Sequence, residues 1–489
     1  MSTDTSRPRP RTSSVVAALI DTYAANLEAS GIALLEHHKE LLTDFLTTLV
    51  TCDSPSETIL PPGELLTTST PRSIHVGTGL TVTQNLATAI SAAEHSVLFS
   101  TCFWAESESR EVLADALREL SRCAEEEGRK VLVRIGFSSS SATQKLFHTS
   151  SPKGKTHLPS TWTTLGLPGP EELRGLDLRV KSIFFLPFSV LHSKFCIIDN
   201  RTLFLPSANI SWETWLEQCT TFTGAVVDVF TSFWTRVWGE GDEPPFPSTM
   251  KENGGVPTIF LPHPHHRNPA FSPSLVPCFP SSSPRNQPPV TPQNTFFIHA
   301  LTRAAKSIYI QTPNLNSQPL LRTLEEALAR GVNVKIVTCR RMMVAEQMVT
   351  TAASASTEGC IRSLIRYDHH LRQNQAQDPF RGNRKPPGLL SVWYYTGAGS
   401  AEPIARQIVV PECTAAVKSH VKALIVDGEI TVLGSANGDR ASWFTSQEVN
   451  VAVFDATFAG EVREALVSGL GGRLERVAGV ATKLSEIEE

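Results

Sequence analysis

The chain of 489 residues contains no apolar run that approaches the roughly 20 residues needed to cross a bilayer. We therefore expect no transmembrane segment, and any work on lipid must be done from the membrane surface. Residues 1–12 also lack the apolar stretch of a secretory signal. Arg7, Arg9 and Arg11 among serines and threonines leave a mitochondrial transit peptide as an alternative, against which Asp4 and the prolines of this segment argue.

A disulfide or zinc pattern among the cysteines is also missing. The nine cysteines are scattered and include no C-x-x-C pair, and an odd, unpatterned set in a long chain is typical of reduced thiols. This favours an intracellular location, either cytoplasmic or peripheral to a membrane. The net charge of -4 provides no overall basic surface for nucleic acid, although a local basic groove is compatible with it.

Hydrophobic periodicity divides the chain into two halves with the same order of elements. Apolar residues recur at helical spacing over 14–50, and prolines then break the pattern over 55–63. In each half, a helix, a strand, a second helix and a second strand follow one another. The predicted segments are 83–93, 96–103, 110–127 and 130–137 in the first half, and 296–305, 307–312, 317–330 and 332–337 in the second.

The join between the halves is rich in proline and serine. Residues 244–294 are predicted to be a linker or a long surface loop because of this composition. The predicted organisation is a helical extension over 1–72, a first α/β domain over 73–243 and a second over 295–477, with a helical tail over 455–477. The fold class is therefore α/β, with two tandem copies of one α/β/α fold.

The most informative feature is a pattern that occurs twice, H-x-K-x(4)-D followed by S-x-N. The interval from the aspartate to the serine is eight residues in both copies, which lie 228 residues apart. In a strand, the histidine and the lysine point to one face. Each copy is predicted to be a hairpin that brings its side chains to one rim. The first copy consists of His192, Lys194, Asp199, Ser207 and Asn209, and the second of His420, Lys422, Asp427, Ser435 and Asn437.

Two histidines, two lysines and two asparagines suit cleavage of a phosphodiester without a metal or another cofactor. A neutral imidazole is a competent nucleophile, and a second, protonated imidazole can release the leaving alkoxide. The lysines and asparagines are candidates for holding the non-bridging oxygens, and Ser207 and Ser435 are candidates for substrate binding. A nucleophilic histidine also needs an acceptor for its other ring nitrogen. Glu448, eleven residues after the second motif asparagine, is well placed, and Glu217, eight after the first, is a weaker counterpart.

These residues resemble the phospholipase D superfamily, whose motif H-x-K-x(4)-D-x(6)-G-S-x-N occurs twice in most members. The second copy matches every position, whereas the first has Pro206 in place of the motif glycine. The resemblance covers about 80–470 and implies two phospholipase-D-type domains related by pseudo-two-fold symmetry, with a shared active site. It also implies a phosphohistidine on His192, with His420 as the acid, and aspartates at 199 and 427 that are structural rather than catalytic.

The superfamily leaves the substrate open. This two-motif chain is most similar to the cardiolipin-synthase-like group, so phospholipid head groups are the expected substrate, with peripheral contact to a membrane. A nuclease acting on single-stranded DNA or RNA is the alternative. A catalytically weak lipid- or nucleic-acid-binding protein is a second alternative, which Pro206 leaves open. The motif aspartates argue against the tyrosyl-DNA phosphodiesterases, which usually lack them.

Three further features have a plain structural interpretation beside a functional one. The apolar segment 183–191 is either a buried strand or the lining of an acyl-chain groove. Four tryptophans at helical spacing are either core residues or a stacking platform for bases. Three clustered histidines fit a solvated loop better than a metal site. The tryptophans are Trp212, Trp215, Trp234 and Trp238, and the histidines are His263, His265 and His266.

Overall fold

The computed structural model describes residues 12–52, 58–140, 153–185, 189–239, 254–265, 287–340, 342, 356–377, 385–398 and 411–479. The fold is mixed α/β, as expected from the sequence, and its centre is a 17-stranded sheet. None of the helices in these ranges is long and apolar enough to span a bilayer.

The N-terminal extension consists of two helices, α1 (Thr12–Glu28) and α2 (Glu36–Val50), where the sequence predicted one helical stretch. Gly31, with a φ of 78°, ends the first helix, because this left-handed conformation suits glycine. The buried face of α2 packs on the second half of the chain, where Phe45 meets Phe296 edge-on at 5.6 Å between ring centroids.

The first half follows the predicted order of elements, and the strand predicted over 96–103 has the bounds expected. Helices α3 and α4 begin where Thr78 and Ser107 accept the backbone N–H groups of Thr81 and Arg110. The elements are β1 (Leu66–Thr78), α3 (Gly79–Ser91), β2 (Ser96–Phe103), α4 (Glu108–Glu126), β3 (Val131–Ser139), β4 (Lys155–His157), β5 (Leu176–Ser182), β6 (Phe184–Phe185), β7 (Ser189–Val190), β8 (Phe195–Ile198), β9 (Thr202–Pro206), β10 (Trp215–Thr223) and α5 (Val226–Trp238).

The second half repeats this order after one intervening strand. The predicted helix and strand pairs over 296–337 are all found, each within a few residues of its expected bounds. The elements are β11 (Val256–His263), α6 (Pro292–Arg303), β12 (Ser307–Gln311), α7 (Gln318–Ala329), β13 (Asn333–Cys339), α8 (Thr357–Gln377), β14 (Leu390–Tyr395), β15 (Lys418–Ser419), β16 (Ala423–Val426), β17 (Ile430–Gly434), α9 (Arg440–Phe444), β18 (Glu448–Phe454), α10 (Ala456–Leu470) and β19 (Leu474–Ala478).

Hydrogen-bonded neighbours follow the same order in both halves. In the first half, the strands run β5-β3-β2-β8-β9-β10. In the second half, they run β14-β13-β12-β16-β17-β18. Strands β1 and β11 pair with each other and connect β10 to β18. The two motif hairpins, β8–β9 and β16–β17, therefore occupy matching places.

The described part of the predicted linker is not a surface loop. Residues Val256–His263 form β11, a buried strand paired antiparallel with both β1 and β18. Pro257 and Pro262 lie within this strand, and proline normally argues against a central strand, which explains the wrong prediction. Residues 240–253 and 266–286 of the linker lie outside the described part, and the domain boundaries stay predictions.

The C-terminal tail is only partly helical. Helix α10 ends at Leu470, and Gly471 follows with a φ of 57°. The chain then forms β19, which pairs antiparallel with β14. The helix predicted over 455–477 was thus too long, because Gly471 and Gly472 end the helix after Leu470.

Candidate active site

Each motif aspartate lies in the tight turn of its hairpin and fixes the turn to a neighbouring segment. Asp199 and Asp427 both have left-handed backbone conformations, with φ values of 53° and 54°. Each carboxylate accepts three successive backbone N–H groups. The donors are Glu94, His95 and Ser96 for the first, and Ala305, Lys306 and Ser307 for the second. This contact supports the expected structural role of both aspartates, and a catalytic role for them stays untested.

The histidines and lysines lie at the opposite ends of the hairpins from the aspartates. His192 and Lys194 immediately precede β8, and His420 and Lys422 precede β16; all four are buried. The Lys194 ammonium donates to the carbonyl oxygen of His192 at 2.9 Å, and Lys422 donates in the same way to that of His420. Each lysine is thus held beside its own histidine.

The histidine–carboxylate pairs are formed between the two motif copies. Glu448 lies 2.9 Å from Nδ1 of His192, and Glu217 lies 2.8 Å from Nδ1 of His420. Contact of Nδ1 with a carboxylate leaves Nε2 of each ring for chemistry. The backbone also pairs between the two copies. The N–H of His192 donates to the carbonyl oxygen of Gln447, and the N–H of His420 donates to that of Leu216, both at 2.8 Å. Each acceptor residue directly precedes the paired glutamate. Glu217, predicted as the weaker counterpart, has the equivalent position.

The motif serines hold the glutamates, and substrate binding by these serines stays a prediction. Ser207 Oγ donates to Glu217 at 2.5 Å, and Ser435 Oγ donates to Glu448 at 2.5 Å. Each serine oxygen also accepts a backbone N–H from the strand that carries its glutamate, at 2.9 Å and 3.0 Å. The hydroxyl groups are therefore already engaged, and their role is to position the carboxylates.

The motif asparagines keep polar atoms without protein partners. Within the described residues, Oδ1 of both Asn209 and Asn437 is buried and has no hydrogen-bond partner. The amide nitrogen of Asn437 donates to Asp439 at 3.1 Å. Buried polar groups are rarely left unpaired, so these two amide oxygens can accept a hydrogen bond from a ligand; that the asparagines hold the phosphate stays a prediction.

Burial makes the neutral form of both imidazoles the favoured one. It lowers the pKa of His192, and it lowers the pKa of His420 to about 3; the paired glutamates oppose both shifts. Burial disfavours the charge of Glu217 and Glu448 as well, but the positive neighbours outweigh it and hold the pKa of both carboxyls below its usual range. Burial, with the charge of Lys194, also lowers the pKa of Lys422 to about 7.

The two half-sites differ in their surroundings. His420 is 1% exposed and packs against the ring of Trp215 at 4.9 Å between centroids, whereas His192 is 8% exposed. Ser442, on the short helix α9, donates to Glu448 at 2.6 Å, and no side chain among the described residues of the first half donates to Glu217 in the same way except the motif serine. His192 is therefore the more accessible histidine of the pair.

Pro206 leaves the first half-site intact. Ser207 N–H donates to Gln218 O at 2.8 Å, which matches the 2.9 Å from Ser435 N–H to Val449 O in the second half. The motif glycine of the second half is needed locally, since a Cβ on Gly434 would lie 2.3 Å from Val449 O.

The remaining candidates have structural roles where they are described. His263 lies in β11 with its ring between the carbonyl oxygens of Ser446 and Trp443, at 2.9 Å and 3.2 Å; His266 lies outside the described residues. Trp234 and Trp238 stack in the core, and Trp212 is 64% exposed. In the segment 183–191, Ile183, Phe184 and Leu191 are buried, and 186–188 are not described.

Sequence reasoning missed Ser442, Gln447 and the contact of Trp215 with His420. Gln447 accepts a hydrogen bond from Ser193 Oγ at 3.2 Å, next to His192. The signal that could have found these residues is proximity to the two glutamates in sequence.

Comparison with known proteins finds similarity to proteins of phospholipid synthesis. Residues 297–468 match the family model described as cardiolipin synthase, PLD-like domain. A stretch of 43 residues is 49% identical to the minor cardiolipin synthase ClsB of Bacillus subtilis, which is 9% of this chain and 11% of that relative. The chain thus matches only about a tenth of the length of this relative.

The crystal structure of phosphatidylserine synthase from Haemophilus influenzae Rd KW20 is similar over most of both chains. It covers 87% of this chain and 91% of the other, with a TM-score of 0.51 and 13% identity. At 13% sequence identity, this similarity shows that the two folds are alike. The doubled motif and the family model agree on the class of domain: residues 297–468, which contain the second motif copy, match the PLD-like domain of the cardiolipin synthase type.

Proposed function

We propose that this chain is a phosphodiesterase or phosphatidyltransferase of the phospholipase D type that acts on phospholipid head groups. The observation that carries the proposal is the crossed pairing of the buried histidines. Each has its Nδ1 on a glutamate of the other motif copy, at 2.9 Å or 2.8 Å, with a lysine beside it. This arrangement fits a single active site built by both halves about a pseudo-two-fold axis.

In the proposed reaction, Nε2 of His192 attacks the phosphorus atom and the bond to the leaving oxygen breaks. His420 gives that oxygen its proton. Water or an alcohol then attacks phosphorus, the P–N bond to His192 breaks, and His420 takes the proton of the incoming hydroxyl. Burial keeps the attacking imidazole neutral, and the negative charge of the bound phosphodiester favours the protonated form of His420.

The two lysines and two asparagines are assigned to the phosphate. The ammonium groups of Lys194 and Lys422 offset the negative charge that grows on the non-bridging oxygens. Asn209 and Asn437 are assigned to the same oxygens through their side-chain N–H groups, because an amide oxygen cannot donate to phosphate. A phosphate beside Lys422 raises its pKa from the value of about 7 in the free protein, so that substrate binding charges the lysine.

Phospholipid is preferred as the substrate class because of the relatives. The matched family model describes cardiolipin synthases, and the B. subtilis relative is a minor cardiolipin synthase. Trp212, three residues after the motif asparagine of the first half, is 64% exposed and fits contact with a membrane interface. The protein would then bind a membrane peripherally.

Product analysis tests the proposal. Purified protein receives labelled phosphatidylglycerol and a primary alcohol in EDTA, beside His192→Ala and the matched variant His299→Ala, whose histidine lies on α6 outside the site. We expect phosphatidic acid and the phosphatidyl alcohol from wild type and His299→Ala, and neither product from His192→Ala.

Two other results would replace this function. No lipid product from folded wild type, together with His192-dependent cleavage of a labelled single-stranded oligonucleotide, would make the protein a nuclease. Unchanged lipid and oligonucleotide, with tight binding that His192→Ala leaves intact, would make it a binding protein.

A further inference from the structure

Three ligand atoms converge where the N-terminal helix α2 meets the second motif hairpin. The Nε2 atoms of His37 and His38 lie 2.8 Å and 3.5 Å from the same carboxylate oxygen, Oε2 of Glu429. The two imidazole centroids are 4.2 Å apart, so the rings pack against each other beside this oxygen. Glu429 belongs to the tight turn between β16 and β17 and follows Asp427 by two residues.

His38 is the unusual member of this cluster. The residue is 5% exposed, and its Nε2 has no hydrogen-bond partner within the described residues. Buried polar atoms are seldom left in this state unless a ligand or water completes them. The imidazole of His38 therefore has a ring nitrogen whose lone pair is available to a cation.

The charges around the cluster favour a cation over an anion. The carboxylate of Glu429 brings an acidic group to the cluster and contacts both His37 and Lys306. Lys306 contacts the other oxygen, Oε1, at 3.3 Å, which leaves Oε2 to the histidines. Arg303 faces the same cavity, but its charge is offset by Glu40 and Asp44 at 2.8 Å and 2.6 Å.

We propose that His37, His38 and Glu429 form a binding site for a divalent transition metal, best matched by Zn²⁺. Two imidazoles and one carboxylate are a donor set that zinc accepts, and ligand atoms of a tetrahedral zinc lie about 3.4 Å apart. The observed 2.8 Å and 3.5 Å bracket that separation. The ligands line a cavity of about 290 Å³, which has room for water as the fourth ligand.

The metal would fasten the N-terminal extension to the second half of the chain. Glu429 lies beyond the end of β16 opposite to Lys422, and the strand between them spans roughly 13 Å. The site is therefore separate from the phosphate-binding residues, and its role is to clamp α2 onto the hairpin that Asp427 anchors. This proposal does not depend on the proposed catalytic function.

Metal titration of the full-length chain tests the site. After removal of metals with a chelator, we expect saturable binding of one Zn²⁺ and a zinc-dependent rise in the Tm, because the folded state alone has the assembled site. Co²⁺ should give the visible absorption of a tetrahedral site. His38→Gln and Glu429→Gln should each weaken zinc binding on the order of 100-fold. His37→Gln, at an exposed position, provides a ligand variant that keeps the fold.

Matched controls separate ligation from general charge. Glu40→Gln removes a carboxylate from the same cavity, and His299→Gln removes a nearby histidine that bonds Thr48 at 2.9 Å; both should keep wild-type zinc affinity. The proposal fails if wild type shows no saturable zinc binding, or if the zinc affinity and cobalt spectrum persist in both His37→Gln and Glu429→Gln. It also fails if Glu40→Gln weakens zinc binding as much as Glu429→Gln does.

Discussion

His192 and Glu448 are 256 residues apart in the chain, yet Nδ1 of the histidine lies 2.9 Å from the carboxylate of the glutamate. Each belongs to a different copy of the motif. Their counterparts, His420 and Glu217, are 203 residues apart and 2.8 Å from each other. Neither copy therefore contains a complete histidine–carboxylate pair, and orientation of both imidazoles requires that the halves be correctly docked.

Replacing either glutamate should disable the site without unfolding the protein. Glu448→Gln and Glu217→Gln keep the side-chain shape but remove the negative charge, and the new amide can stabilise the wrong imidazole tautomer. By analogy with the carboxylate of a serine-protease triad, we expect kcat to fall by about 10²–10⁴. Steady-state kinetics on the lipid substrate measure this loss, with KM little changed.

A surface control distinguishes this effect from a general loss of charge. Glu464→Gln lies on the exposed side of α10 and should keep wild-type kcat. Thermal unfolding of each variant shows whether the fold is retained. Wild-type kcat in a folded Glu448→Gln variant would show that the carboxylate does not orient His192.

Replacing the motif aspartates should affect stability rather than chemistry. Asn tolerates the left-handed turn at positions 199 and 427 but keeps only one acceptor oxygen for three backbone N–H groups. We expect Asp199→Asn and Asp427→Asn to lower the free energy of unfolding by about 1–3 kcal/mol. Urea unfolding gives this value. A kcat as low as that of His192→Ala, measured where the variant is folded, would show that the aspartates act in catalysis.

The chemistry of the site could be predicted from sequence because the motif residues are local. His192 and Lys194, for example, are fixed beside each other by two residues of extended chain. The partner of each histidine could not be predicted, since the pairing crosses between halves. Glu217 was underrated for a specific reason: helix α9 lies between Asn437 and Glu448 and lengthens the corresponding interval from eight residues to eleven.

The same contrast holds for the fold. Segments whose apolar pattern is undisturbed, such as β2 over Ser96–Phe103, have the bounds that the sequence predicts. Strand β11 was missed because Pro257 and Pro262 argue against a strand in the sequence. The strand forms nevertheless, because it pairs with β1 on one side and β18 on the other. The cluster of His37, His38 and Glu429 was out of reach for a similar reason, as its members meet only after the extension docks.

The buried histidines should make the fold sensitive to mild acid. Burial lowers the pKa of His420 from 6.5 to about 3, so between these values the unfolded chain binds more protons than the folded one. The stability that this group contributes is complete above pH 6.5 and is lost as the pH falls towards 3. Between pH 6.5 and 5, the loss is up to about 2 kcal/mol for one such histidine.

Chemical denaturation at pH 7 and pH 5 measures this dependence. His420→Gln, which does not titrate, should lose less stability between the two pH values than wild type does. His299→Gln, on α6, is the control for removal of a histidine at a less buried position. Equal losses in wild type and His420→Gln would show that folding does not lower the pKa of His420.

Alanine should be harmful at Gly434 but tolerated at Pro206, although the two residues occupy equivalent motif positions. A Cβ at Gly434 would lie 2.3 Å from Val449 O and 2.5 Å from Asn450 Oδ1, so Gly434→Ala must move the strand that carries Glu448. We expect a loss of about 1–3 kcal/mol in the free energy of unfolding, and a fall in kcat as the glutamate shifts from His192.

Pro206→Ala removes no hydrogen bond from Ser207, and it should keep kcat while losing at most about 1 kcal/mol through the greater freedom of the unfolded chain. Urea unfolding and steady-state kinetics, measured on both variants, test the expected changes in stability and in kcat. If Pro206→Ala lost as much kcat as Gly434→Ala, the first half-site would depend on its proline, and the match between the two half-sites would not extend to function.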